Sequence, residues 1–106
     1  MKSILITLLL LVSTTLTAQE IKVIQINADW NNVNTRLDLD QLEGCNYQFG
    51  WLKHQPPNIQ NELSSVPVVL IFKGDKLVKK YEANISLKLN TPLDEIQQTI
   101  YAIKED

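Results

Sequence analysis

The chain has 106 residues, a single cysteine and a formal net charge of −2 at pH 7. That length holds one small domain, and the slight acidity excludes the concentrated basic face that nucleic acid requires. One thiol cannot close a disulfide within its own chain, so the fold must rest on its apolar core.

Residues 1–18 read as a secretory signal peptide. Lys2 gives a positive start, Ile4 to Val12 is apolar apart from Thr7, and Ser13 to Ala18 is a polar stretch ending in a small residue. The apolar run is shorter than the roughly 20 residues of a spanning helix, and no cysteine follows it to carry a lipid. Cleavage after Ala18 is expected to leave residues 19–106 as one exported domain, periplasmic or extracellular, with no stable membrane insertion. Lys2 leaves with the leader, so nine basic side chains then face twelve acidic ones.

Ile21 to Ile26 is β-rich and partly alternating, which predicts a first strand. Asn27-Ala28-Asp29-Trp30-Asn31-Asn32 is a turn or cap sequence. From Val33 to Glu43, the spacing of Val33, Leu37 and Leu42 predicts a short amphipathic helix, although Leu37-Asp38-Leu39 also reads as strand. Gly44 stands where a helix C-terminal cap would be. Cys45 to Leu52 alternates again, a second strand, and His54 to Asn58 is loop. Asn58 to Leu63 gives one or two helical turns with Ile59 and Leu63 on one face.

Pro67 then opens the apolar run Val68-Val69-Leu70-Ile71-Phe72. Proline donates no ladder hydrogen bond, so it fits the start of a strand. Lys73-Gly74-Asp75-Lys76 turns the chain into Leu77 to Tyr81, closing a hairpin. After a polar loop from Ala83 to Asn90, Thr91 reads as an N-cap and Pro92 as the first helical residue. Leu93, Ile96, Ile100 and Ile103 continue at helical spacing. The order is strand, helix, strand, helix, strand, strand, helix. A crossover helix makes the first two strands parallel. The expected class is α/β, a mixed four-stranded sheet with helices on both faces.

Across nearly all of residues 19–106 the chain resembles the thioredoxins. Ala28-Asp29-Trp30 ends the first strand as the small-acidic-Trp segment does before their active site. Ser65-Val66-Pro67 is similar to their cis-proline motif, and Phe72-Lys73-Gly74-Asp75-Lys76 to the hairpin that follows. The resemblance implies a minimal βαβαββα thioredoxin fold with a shortened first helix and a cis Val66–Pro67 bond. It also implies an active site that has lost its sulfurs. The two cysteine positions after Trp30 are Asn31 and Asn34, and Gln25 stands where the family has a buried aspartate. An amide can neither attack a disulfide nor resolve one.

What remains of that active site is its binding half. Trp30, Asn31, Val66 and Pro67 are the candidate surface for holding an extended peptide of a protein partner by strand-like pairing. Trp51 on its strand is most simply core. Cys45 is the one sulfur nucleophile, readable as a small residue at a strand edge, as a monothiol oxidoreductase centre, or as the link of a disulfide-joined assembly. His54 is the only histidine and has no cysteine beside it, so neither a metal nor any cofactor is expected. Asn84-Ile85-Ser86 matches a glycosylation acceptor by a short motif. Nothing in the pattern selects a partner or an oligomeric state.

Overall fold

The structure is a computed structural model that describes residues 19–105; the signal-peptide reading falls on residues 1–18, outside them. Four strands form one mixed sheet in the order β2-β1-β3-β4. They are β1 (Ile21–Asn27), β2 (Asn46–Trp51), β3 (Val68–Lys73) and β4 (Lys76–Glu82). β1 runs parallel to β2 and antiparallel to β3, and β3 is antiparallel to β4. The α/β class and the mixed sheet are as expected, and the strand bounds lie within one or two residues of the alternating runs.

Strand periodicity assigns the two faces. Ile21, Val23, Val69, Ile71 and Tyr81 point one way and meet Ile96 and Ile100 of helix α2 (Leu93–Lys104), with Leu39, Leu42 and Leu89 completing the cluster. Each fully buried aliphatic side chain there is worth about 1.5–3 kcal/mol. On the opposite face Ile26, Val68 and Leu70 meet Leu52 and Leu63, the latter just past the short helix α1 (Pro57–Glu62). That second cluster is much the smaller. The long helix therefore carries one face, and a single turn and its flanks cover the other.

The main departure lies in the crossover. No α-helix spans 33–43; the segment holds two 3-10 turns, Asp29–Asn34 and Leu39–Gln41, joined by extended chain. Val33 and Leu37, expected on a buried helical face, are 90% and 82% exposed, while Leu39 and Leu42 are the buried pair. Asn31, Asn32, Asn34 and Thr35 explain this. Short polar side chains offer the backbone local hydrogen bonds that compete with a helix. Gly44 does adopt the left-handed conformation expected of a cap, φ +79°, but it leads into β2 from a bend instead of ending a helix. The cap of α2 also differs by one residue. Pro92 holds the N-cap position with no side-chain bond, and the Thr91 carbonyl is used elsewhere.

Gly74, at φ +63°, makes the expected hairpin turn between β3 and β4. The Val66–Pro67 peptide is cis, as anticipated, and it stands directly before β3.

Candidate functional site

The alternation that places Ile21 and Val23 in the core puts Gln25 and Asn27 on the same side, both fully buried. A buried amide without partners is costly, so each must be satisfied where it stands. Gln25 donates from Nε2 to the Arg36 carbonyl (3.0 Å) and the Tyr47 hydroxyl (2.8 Å), and its Oε1 accepts the Arg36 N–H (2.9 Å). The position that could hold a titrating carboxylate is thus a neutral peg pinning the crossover to β1 and β2. Asn27 donates to the Asn31 carbonyl (3.0 Å) and the Thr35 hydroxyl (2.8 Å).

Asn31 is the centre of this network and is 4% exposed. Its Nδ2 donates to Asn27 Oδ1 (3.1 Å), to the Leu87 carbonyl (3.1 Å) and, at longer range, to the Val66 carbonyl (3.4 Å). Its Oδ1 accepts from Asn34 Nδ2 (2.8 Å). One side chain thereby ties the end of β1, the proline loop and the loop after β4. Leu87 lies at φ +62°, a conformation costly for a residue with a Cβ. The same loop contributes the Leu87 carbonyl to the clasp. Arg36 extends the tie, donating through Nη1 to the carbonyls of Leu89 (3.0 Å) and Thr91 (2.7 Å) and pairing in two-pronged fashion with Asp38. The guanidinium hydrogen bond holds the Asp38 carboxyl below the usual range. Among the described residues no buried side-chain nitrogen or oxygen lacks a partner.

Of the four residues expected to form a peptide groove, only Trp30 is at the surface, 68% exposed. Asn31, Val66 and Pro67 are buried, and the Val66 carbonyl is already approached by the Asn31 amide. Asp29 beside Trp30 pairs with Lys53 across the surface (3.1 Å), which lowers its carboxyl pKa. Asn34 serves the clasp and is not a free site residue.

A second feature lies next to the clasp, and sequence reasoning missed it. Tyr47, Phe49 and Trp51 pair with Val23, Gln25 and Asn27, so their side chains share the α2 face of the sheet. With no crossover helix to lie over them, they remain partly open. They line a cleft of about 310 Å³ together with Asn32, Thr35, Arg36, Leu37 and Asp40. The Phe49 ring stands edge-on to Trp51, centroids 4.8 Å apart at 87°, the favoured geometry for aromatic pairs. Burial pushes the Tyr47 phenol up, against the lowering effect of its bond from Gln25. Trp51 is therefore a partly buried cleft wall that lies outside both core clusters. The available signal was Tyr47-x-Phe49-x-Trp51, three rings at strand spacing, together with the shortness of the crossover.

Cys45 is half-buried, packs against the α2-side core, and has its thiol pKa raised by that burial despite Lys104 nearby. His54 is exposed on its loop. Asn84 is exposed too, but its Oδ1 accepts the N–H groups of Ser86 (2.9 Å) and Lys88 (3.1 Å), so it builds its own turn. Among the described residues no group of three His, Cys, Asp or Glu could hold a metal, and no helix is long and apolar enough to cross a membrane.

No family model and no curated protein matches the chain. Among solved structures, the crystal structure of a designed protein superposes with a TM-score of 0.50 at 14% sequence identity, over 82% of this chain and 78% of that one. A likeness at that identity speaks for the fold alone.

Proposed function

We propose that this chain is an exported, thioredoxin-like binding module without dithiol chemistry, which holds an apolar, extended segment of a protein partner in the cleft along β2. The observation that carries the reading is the clasp. The positions at which the resemblance puts the two sulfurs, Asn31 and Asn34, are joined to each other by a hydrogen bond and to three segments of the fold. Side chains so used are structural cross-links, and the neutral Gln25 offers no proton to relay. Burial raises the Cys45 thiol, which works against a monothiol oxidoreductase, because the thiolate is the nucleophile. Binding chemistry is then left to the surface, where Tyr47, Phe49 and Trp51 line a concave place able to receive a partner.

The test compares three variants on one bait. Phe49→Ala and Trp51→Ala are expected to lose partners captured from an envelope extract, and Trp30→Ala to retain them. Loss with Trp30→Ala alone would return the binding surface to the proline loop. Insulin reduction measured beside a thioredoxin control is expected to be nil; turnover would end the non-redox reading.

A further inference from the structure

The two edges of the sheet are finished differently. β4 carries Lys76, Lys79, Lys80 and Glu82, and its pairing with β3 is broken by a register shift at Ile71/Phe72. Charges and bulges are the usual devices that keep an exposed edge from pairing with another chain. β2 has neither. Asn46-Tyr47-Gln48-Phe49-Gly50-Trp51 contains no charge and no proline, and its regular pairing with β1 leaves the outer edge without a strand partner among the described residues.

The charges that flank β2 favour one occupant. Glu20 and Glu43 lie at its N-terminal end, Glu20 accepting a hydrogen bond from Asn46 and Lys104 standing near Gly44, while Lys53, paired with Asp29, follows its C-terminal end. A second copy running antiparallel keeps the two Glu20 and Glu43 sets at opposite ends, each facing a Lys53–Asp29 pair; a parallel copy brings all four carboxylates to one end. A two-fold axis normal to the sheet keeps each face continuous, so residues opposite each other must share a face. Centring the axis on Phe49 places Phe49 against Phe49 and Tyr47 against Trp51 of the second copy, twice. Such cross-strand aromatic pairs are among the stabilising ones in antiparallel sheets.

We infer that β2 is a self-association edge, at which two copies pair antiparallel about Phe49 into one eight-stranded sheet and join their clefts into a single aromatic floor. This rests on the geometry of β2 and stands whether or not a further partner binds the cleft. It is also distinct from a disulfide-linked assembly. In this register the two Asn46 residues, next to Cys45, lie about 20 Å apart along the strands at roughly 3.3 Å per residue, far beyond the reach of a disulfide.

Sedimentation of protein expressed from the full sequence is expected to show a dimer, unchanged by reductant or by Cys45→Ser. Phe49→Lys, which sets two ammonium groups against each other at the axis, is expected to weaken it roughly 100-fold. In a Cys45→Ser background, Phe49→Cys is expected to form a covalent dimer on mild oxidation, and Lys79→Cys, on the charged edge, is not. A monomeric mass up to about 1 mM would overturn the inference. So would a dimer that Cys45→Ser abolishes or Phe49→Lys leaves intact, or equal cross-linking at the two edges.

Discussion

On the α2 face of the sheet, β1 ends in buried amides while β2, its neighbour, carries partly open rings. Gln25 and Asn27 are fully buried and fully hydrogen-bonded, yet Phe49, paired to Gln25 in register, is 38% exposed. The usual partition of polar outward and apolar inward is inverted over two adjacent strands. Satisfied polar groups cost little to bury, so the clasp can be interior and structural. The exposed parts of these rings gain nothing for the isolated fold, so they are where the molecule can gain by meeting something else.

The sharpest way to break this comparison is to remove the clasp. Asn31→Ala leaves Asn27 Oδ1, Asn34 Nδ2 and the Leu87 carbonyl without this partner, and is expected to cost about 3 kcal/mol in denaturant unfolding, a large part of a small domain's stability. Asn31→Asp is nearly isosteric but cannot donate when ionised. Its carboxyl pKa should be raised in the folded state, so the loss is expected to be greater at neutral pH than in mild acid. Equal stability of wild type and Asn31→Ala would show the clasp to be incidental. Gln25→Leu removes a peg that holds both the N–H and the C=O of Arg36 and is expected to cost about 2 kcal/mol in the same assay.

The cleft should respond in the opposite way. Phe49→Ala is expected to cost about 1–2 kcal/mol, less than removal of the clasp, while abolishing association with a cleft-bound partner, because the ring is 38% exposed and buries only part of its area. A large stability loss with unchanged association would reverse the roles assigned to the two regions.

Acid provides a smaller test. Asp38 has a folded pKa below its ordinary 3.8, so its stabilisation is present above that value and lost as pH falls through the depressed one. With the carboxylate part-exposed, solvent screening limits the effect to about 0.5 kcal/mol, and Asp38→Asn should flatten the stability profile only at the acid end. Least visible of all, Cys45 should react with iodoacetamide slowly in the native state and quickly once unfolded, with the native rate rising only under alkaline conditions. Fast native labelling at neutral pH would reopen the monothiol reading.

The strands and α2 were legible because their signals are local. Val68 to Phe72 is apolar on both faces and bounded by proline and glycine, and Ile96 and Ile100 repeat at helical spacing. The crossover was misread because Val33 and Leu37 mimic a helical face, whereas the segment's backbone is governed by side chains distant in sequence, such as Gln25 on Arg36. Asn31 was legible as a substitution and as a possible cap, but its real duty depends on Val66 and Leu87, which only the fold brings near. The cleft escaped for the same reason: the rings of β2 are ordinary strand residues until the chain that should cover them proves too short.

Building the junction of β1, the proline loop and the loop after β4 from amides has one further effect. A sulfur pair at such a junction opens and closes with the oxidising power of its surroundings, so the surface nearby has two states. Asn31 and Asn34 have no such second state. The shape of this corner should be the same in a reducing or an oxidising medium, and whatever engages the molecule would do so irrespective of the thiol balance of its surroundings.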